Sequence, residues 1–122
     1  MLNWKLFLLM LLLLIGGCGI IKPLCGDQIK TEKASPDLKY TATVYERDCG
    51  ATTDFSTIVN LRERSTKFNG DELGPVVIKG QHSINLDWDG NTRLRLQCRD
   101  CRPEEIFKQE RRWKDVEISL GR

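Results

Sequence analysis

The sequence predicts a mostly β fold: a small antiparallel sheet of about six strands, as a meander or small sandwich, with one short helix near the C-terminus. Two observations predict it. Apolar and polar residues alternate with a period of two in several short segments, as they do in half-buried strands. Turn-forming pairs such as Asn69-Gly70 and Gly90-Asn91 separate these segments, and a succession of short strands favours an antiparallel sheet.

The first two predicted strands cover residues 38–45 and 55–62. In each of them every second residue is predicted to face the core, and Ile58 is an apolar exception on the outer face of the second. A third, shorter strand follows Pro75, a residue that suits the start of a strand or a sheet edge. The predicted inward residues are Leu38, Tyr40, Ala42, Val44, Phe55, Thr57, Val59 and Leu61, and the third strand is Val76, Val77 and Ile78.

Residues 83–89 and 92–98 alternate most cleanly and predict a hairpin. A two-residue turn would place Trp88 opposite Arg93 and mix the two faces. A three-residue loop of Gly90, Asn91 and Thr92 instead pairs apolar with apolar residues and acids with arginines, which stabilises a sheet by roughly 0.2–1 kcal/mol per pair. The predicted pairs are Trp88 with Leu94, Leu86 with Leu96, Asp89 with Arg93, and Asp87 with Arg95.

The C-terminal part predicts one helix start and one last strand. Pro103 followed by Glu104 and Glu105 is typical of the first turn of a helix. Alternation then returns in a final predicted strand. We expect Ile106, Phe107 and Trp113 to cover one end of the core, and Val116, Ile118 and Leu120 to form the strand.

The charge balance and the histidine count exclude two classes of function. The 122 residues carry 19 Lys and Arg against 17 Asp and Glu, a net charge of +2. This balance argues against a nucleic-acid-binding protein, whose binding face is usually strongly basic. His82 is the single histidine, so a histidine-rich metal site is impossible. We therefore predict no metal, no cofactor and no nucleic acid.

The N-terminus predicts export. Lys5 precedes an unbroken apolar run, residues 6–15, which Gly16, Gly17 and Cys18 follow. This is the layout of a secretory signal peptide, and the run is shorter than the ~20 apolar residues of a membrane-spanning helix. The alternative is an ordinary cleaved signal in which Cys18 is a structural thiol.

Ile15-Gly16-Gly17-Cys18 resembles the lipobox of bacterial lipoproteins. The resemblance implies that Cys18 carries a diacylglycerol and becomes the first, acylated residue after cleavage. It divides the chain into a signal peptide (1–17), a lipidated tether (18–36) and a small β domain (37–122). Gly19, which is not an Asp, implies the periplasmic face of the outer membrane in a two-membrane envelope. The membrane is then one partner, held through the lipid.

Residues 35–55 are similar to a segment of small bacterial proteins that form a domain of unknown function. The shared residues are Cys25, Ser35-Pro36-Asp37, Lys39-Tyr40, Ala42, Val44, Arg47, Cys49-Gly50-Ala51-Thr52-Thr53 and Phe55. The resemblance supplies no chemistry. It implies that Cys25 and Cys49 belong together.

Four cysteines remain beside Cys18: Cys25, Cys49, Cys98 and Cys101. An even number in an exported chain predicts two disulfides, with three possible pairings. Cys98-Arg99-Asp100-Cys101 is also a C-x-x-C motif, which either exchanges disulfides or is structural. A redox motif usually opens a helix after a strand in a βαβ unit, which is not visible here, so the structural interpretation is favoured. A zinc site of four thiols is disfavoured because Cys25 and Cys49 are far apart in sequence.

Other polar residues suggest no catalytic site. Asp87 and Asp89 flank Trp88, but carboxylates two apart beside a turn are usually solvated surface, and the predicted salt bridges account for them. His82 is interpreted as a loop histidine. We therefore predict an envelope lipoprotein that acts as a binding or assembly module and is not an enzyme. The alternatives are a thiol-disulfide active protein using Cys98 and Cys101, and an inhibitor or immunity-type lipoprotein.

Overall fold

The computed structural model describes residues 3–5, 25–50 and 54–122. The predicted signal peptide beyond Lys5, the predicted lipidation site Cys18, and residues 51–53 of the Cys-Gly-Ala-Thr-Thr segment lie outside these ranges. Within them, no helix is long and apolar enough to cross a membrane.

The described chain forms nine strands and one turn of 3-10 helix, which confirms the predicted mostly β class. The predicted C-terminal helix is reduced to that single turn, because the backbone returns to an extended conformation at Ile106. The strands are β1 (Gly26–Ala34), β2 (Tyr40–Asp48), β3 (Ser56–Glu63), β4 (Val76–Lys79), β5 (Asn85–Trp88), β6 (Arg93–Gln97), β7 (Ile106–Gln109), β8 (Arg112–Trp113) and β9 (Val116–Gly121), and the 3-10 turn is Pro103–Glu105.

Two sheets enclose the core. The first has five antiparallel strands in the order β1-β2-β3-β4-β7, and the second has four in the order β5-β6-β9-β8. In the second sheet β6 and β9 run parallel, so the predicted antiparallel arrangement has one exception. The main apolar cluster takes its buried residues from both sheets, with Val44, Val59 and Ile78 from the first and Leu94 and Val116 from the second.

The predicted hairpin register is confirmed. Trp88 lies opposite Leu94, Leu86 opposite Leu96, and Asp87 opposite Arg95. The carboxylate of Asp87 accepts a hydrogen bond from the guanidinium of Arg95 at 2.8 Å. The alternation of apolar and polar residues predicted this register correctly because one face of the hairpin is buried. A slip of one residue would move its leucines to the exposed face.

Strand β1 was not predicted from the sequence, which assigned residues 18–36 to a tether. The strand pairs along most of its length with β2. Its residues are exposed except for a half-buried Thr31, so it has no apolar alternation to reveal it. Backbone hydrogen bonds to β2, and not side-chain burial, define this strand.

Three residues predicted to face the core are exposed. Leu38 lies in a turn with a φ of 62° and is 50% exposed. Phe55 precedes β3 and is 38% exposed. Phe107 is 84% exposed, whereas Ile106 and Trp113 pack against the core as predicted. Each error lies at or near a strand end or an irregularity, where alternation no longer reports the face.

Candidate functional site

The outer face of the five-stranded sheet carries a second apolar cluster. Tyr45, Ile58 and Val77 are buried there, and Phe68 packs against them from the segment that joins β3 to β4. The rings of Tyr45 and Phe68 meet edge to face, with centroids 4.9 Å apart. The hydroxyl of Tyr45 donates a hydrogen bond to the carbonyl of Gly70 at 3.0 Å. This cover explains why Tyr45, predicted to face outward, is fully buried.

Beside this cluster the outer face opens into a groove of about 550 Å³, which we call the apolar groove. Ile58 and Val77 belong to the buried cluster at its base. Leu73 and Phe107 also line it and are largely exposed, at 51% and 84%. Large apolar side chains that are exposed together around a concave surface often mark a binding site, whereas single scattered ones do not.

Alternation along β7 places Phe107 in this groove, because Ile106 beside it packs against the core and successive side chains of a strand point to opposite faces. In the pairing of β4 with β7, Ile106 lies opposite Ile78 and Lys108 opposite Val77, so Phe107 is the extra residue of a β-bulge between them. As the extra residue, Phe107 has no partner opposite it on β4. The edge of the five-stranded sheet therefore carries a phenylalanine ring that packing against the core does not bury.

The rim of the groove carries charges of both signs. Lys79 forms an ion pair with Asp54 at 3.2 Å. Arg47 forms ion pairs with Asp27, at 3.6 Å, and with Asp71, and also donates to the Gly70 carbonyl. The arrangement gives the groove an apolar base and a polar, nearly neutral rim, which is the usual composition of a protein-binding site.

The disulfide between Cys25 and Cys49 forms part of the groove lining. It joins the residue before β1 to the residue after β2 across a sequence separation of 24. The next residues, Gly26 and Asp48, are the first pair of the β1–β2 ladder. The pairing implied by the sequence resemblance is therefore present, and the chain enters the domain at the groove.

The second disulfide joins Cys98 and Cys101, immediately after β6. Both residues are buried, with exposed fractions of 0% and 6%. Side-chain ligand atoms of His82, Cys98, Asp100 and Cys101 all lie within 4.8 Å of one another, and we call these four residues the His82 cluster. The sequence alone predicts His82 to be a loop histidine, and only the fold places it here.

Local backbone geometry positions His82. Its main-chain N–H donates to the hydroxyl of Thr57 at 3.0 Å, and that hydroxyl donates to the carbonyl of Gly80 at 2.7 Å. Gly80 has a φ of 94°, a conformation that L side chains rarely adopt. A Cβ at this position would also lie 3.2 Å from Nε2 of His82. The absence of a side chain at Gly80 thus leaves room for the imidazole to lie against β3 and the loop after β6.

The imidazole has different surroundings at its two nitrogens. Nε2 lies 2.8 Å from the carbonyl of Lys79 and 3.2 Å from the Glu105 carboxylate. Nδ1 lies 3.2 Å from Oδ2 of Asp100, but the alignment is not that of a hydrogen bond. Burial lowers the pKa of His82, yet the Lys79 carbonyl and the carboxylates of Asp100 and Glu105 together raise the pKa above its ordinary value.

A second cleft, of about 560 Å³, lies on the four-stranded sheet and is lined by arginines. Most of these arginines already have carboxylate partners. Arg93 and Arg112 lie 3.7 Å and 3.3 Å from Glu117, and Arg95 pairs with Asp87. Because the pairs are exposed and mutually neutralising, this cleft is a weaker candidate than the apolar groove for a binding site.

The structure brings together some candidate residues and separates others. The four cysteines form the two disulfides, one at the groove and one in the His82 cluster. Asp87 is held by its salt bridge on the exposed face of β5, as the sequence predicted. The sequence placed Phe107 in the core because strand β7 was not predicted. It did not place His82 in a site, because only the fold brings the loop after β4 to the end of β6.

A scan against protein-family models, a search of curated proteins and a search of solved structures each return no match to this chain.

Proposed function

We propose that the protein is a lipid-tethered binding module of the bacterial cell envelope, and that its apolar groove holds an extended apolar segment of an envelope protein. The observation that carries the proposal is the pair of exposed apolar side chains, Phe107 and Leu73, above an apolar base. Removing such surface from water contributes about 25 cal/mol per Å² of apolar area, against which the entropic cost of association counts. A buried aromatic anchor is a common source of binding energy.

The form of the occupant follows from strand β7. It is the last strand of the five-stranded sheet in the order β1-β2-β3-β4-β7. An edge strand presents main-chain N–H and C=O groups, and a peptide that adds a further strand satisfies them. Phe107 would then contact an apolar side chain of the added strand, while the paired charges at the rim, Lys79 with Asp54 and Arg47 with Asp71, suit polar flanks.

The proposed anchor keeps the groove near a membrane. Cys18, the lipidated residue in this proposal, is seven residues before Cys25. Seven extended residues reach at most about 25 Å. Since Cys25 lines the groove, a partner would have to be accessible within roughly that distance of the bilayer. A periplasmic or membrane-embedded protein with an accessible segment satisfies this condition, and two or more acyl chains would make the attachment stable.

Site-specific photo-crosslinking in living cells tests the groove. A benzophenone amino acid replaces Phe107 in one variant and Leu38 in a control variant. Leu38 is a matched control because it is an exposed apolar residue, at 50%, in a turn that does not line the groove. We expect a discrete crosslinked envelope protein from position 107 alone. Equal products at both positions, or none at position 107, would contradict the proposal.

Substitution gives an independent test once the crosslinked partner is identified. Phe107→Ser removes the exposed ring and leaves the strand, and we expect at least a tenfold loss of affinity, on the order of 1.4 kcal/mol. Leu38→Asn is the control, because Asn tolerates the positive φ at this position. An unchanged affinity in Phe107→Ser would show that binding occurs elsewhere.

The anchor is tested separately by the intact mass of the protein extracted from membranes, with and without reduction. We expect a chain that begins at an acylated Cys18, with a mass that rises by four hydrogens on reduction of two disulfides. A native chain that still begins at Met1, or one with an unmodified Cys18, would overturn the anchor without affecting the groove.

Thiol-disulfide exchange at Cys98 and Cys101 is a second candidate, because a histidine lies next to the pair. Attack on a disulfide needs access to a sulfur, and the burial of both cysteines makes that attack slow, which disfavours rapid exchange as the activity. Replacement of both by serine should abolish function if exchange is the activity, and leave it intact if the groove is the site. An inhibitor or immunity-type role is a special case of binding, in which the crosslinked partner is an enzyme that the protein blocks.

A further inference from the structure

His82 combines burial with a nitrogen that makes no aligned hydrogen bond. Its side chain is only 7% exposed. Its Nδ1 atom is buried and has no hydrogen-bond partner among the described residues, although Oδ2 of Asp100 lies 3.2 Å away. A buried polar atom without an aligned hydrogen bond requires a ligand or a functional explanation.

The other nitrogen fixes the tautomer. Nε2 lies 2.8 Å from the carbonyl of Lys79, a group that can only accept a hydrogen bond, and 3.2 Å from the carboxylate of Glu105. In the neutral imidazole the proton therefore resides on Nε2, and Nδ1 carries the free lone pair. Histidines that bind metals usually have this arrangement, with the second N–H held by a carboxylate or a main-chain carbonyl.

The lone pair of Nδ1 belongs to a set of four ligand groups. The Sγ atoms of Cys98 and Cys101, the carboxylate of Asp100 and the imidazole of His82 lie within 4.8 Å of one another. We propose that, when the Cys98–Cys101 disulfide is reduced, these four side chains form a tetrahedral site for a zinc-class divalent cation. The cysteines alone suggest only a site of four thiols, because the sequence does not show that His82 lies near Cys98 and Cys101.

The cation site forms in two steps, reduction of the Cys98–Cys101 disulfide and then binding of the cation. A dithiol reductant donates two electrons and two protons to the disulfide and itself becomes a disulfide, which leaves Cys98 and Cys101 as thiols. The cation then binds as the thiols release two protons, since the thiolate is the metal ligand. The oxidised form lacks both thiolates, so the same residues are a structural disulfide in one redox state and a metal site in the other.

The ligand set selects the class of cation. Two thiolates and an imidazole are borderline-soft donors that favour Zn²⁺ over Mg²⁺ or Ca²⁺, which require oxygen ligands. Cys98 and Cys101 have Cα atoms 5.5 Å apart in a C-x-x-C motif, a spacing also found in zinc sites. Asp100 is the exposed member, with 61% of its side chain accessible, and gives the cation a route from solvent.

Cobalt binding to the purified protein tests the proposal. Tetrahedral Co²⁺ with thiolate ligands has intense visible bands and a sulfur-to-metal charge-transfer band. We expect one Co²⁺ per chain after reduction, displaced by Zn²⁺, and no such spectrum before reduction. We expect His82→Gln and Asp100→Asn each to weaken binding by at least about tenfold, and Asp89→Asn, an exposed acid outside the cluster, to leave it unchanged.

Reduced protein that gives no thiolate–cobalt spectrum, or that binds Co²⁺ equally well in His82→Gln and Asp100→Asn, would overturn the proposal. Thiol alkylation of the unsubstituted chain makes the test independent of whether the variants fold. We expect Zn²⁺ to protect Cys98 and Cys101 of the reduced protein from alkylation and to leave Cys25 and Cys49 reactive. Equal protection of all four cysteines, or of none, would also overturn it.

Discussion

The indole nitrogen of Trp88 donates a hydrogen bond to the main-chain carbonyl of Lys33 at 3.0 Å, across 55 residues of sequence. Lys33 is in β1, at the edge of the five-stranded sheet, and Trp88 is in β5, at the edge of the other. The bond therefore ties the two sheets together along one side, where β1 has little apolar surface of its own to hold it.

We expect Trp88→Phe to lower the free energy of unfolding by about 1 kcal/mol or more. The variant keeps an aromatic side chain at this position but has no N–H, so the hydrogen bond between the sheets is lost. Urea denaturation measures the change. Asp87→Asn on the same strand is the control, and its exposed salt bridge with Arg95 should contribute less than about 1 kcal/mol. A larger loss in Asp87→Asn than in Trp88→Phe would contradict the role assigned to the indole.

Tyr45 should make stability depend on alkaline pH. Burial, together with the negative charge of Asp27, raises the pKa of Tyr45 from an ordinary value of 10 to about 12. Above pH 10 the unfolded chain loses this proton before the folded one does, so the free energy of unfolding falls as the pH rises from 10 towards 12.

Tyr45→Phe tests this by urea denaturation at about pH 9 and about pH 11. The variant loses the hydrogen bond to Gly70 and should be less stable at the lower pH. It lacks the ionisable hydroxyl, so its further loss on going to the higher pH should be smaller than that of the unsubstituted protein. Parallel pH curves for the two proteins would show that Tyr45 does not titrate as proposed.

The Cys25–Cys49 disulfide should stabilise the domain strongly. Its sequence separation of 24 corresponds to a chain-entropy contribution of about 3 kcal/mol, whereas the separation of three between Cys98 and Cys101 gives less. We expect Cys25→Ser/Cys49→Ser to lower the thermal midpoint and to release β1, which amide hydrogen exchange detects in residues 26–34. Unchanged protection of β1 in this variant would show that the ladder with β2 holds without the disulfide.

Gly74 should tolerate no side chain. A Cβ at this position would lie 1.9 Å from the carbonyl oxygen of Val59 and 2.6 Å from Cα of Asn60, both main-chain atoms. We expect Gly74→Ala to cost about 1–3 kcal/mol or more, as a clash that needs a backbone shift. Gly121→Ala is the control, since its Cβ would meet only the Leu96 carbonyl at 3.8 Å. Equal thermal midpoints for the two variants would contradict the predicted clash.

Alternation predicted the elements that have one face in the core. The β5–β6 hairpin was predicted to the residue pair, because Leu86, Leu94 and Leu96 are all buried on the same face and fix the register. Strand β1 was not found, because its side chains are exposed and only its main chain pairs. The parallel pairing of β6 with β9 also leaves no local pattern, since either direction buries the same side chains.

The candidate sites were less accessible to sequence reasoning than the fold. The four cysteines signalled two disulfides through their even number. Phe107 was assigned to the core because it is apolar and strand β7 was not predicted, so the alternation that turns Phe107 away from Ile106 and the core was not recognised. His82 is 16 residues before Cys98, a spacing with no motif, and only the crossing from one sheet to the other brings them together.

The parallel pairing of β6 with β9 has a consequence for the order in which the domain assembles. Strand β9 lies between β6 and β8, and the carbonyl of Gly121 accepts a hydrogen bond from the N–H of Cys98 at 2.9 Å. The second sheet consequently acquires its inner strand β9 only after residues 116–121 have been synthesised. A nascent chain halted before Val116 would hold the β5–β6 hairpin with an unpartnered side, open to proteases and chaperones.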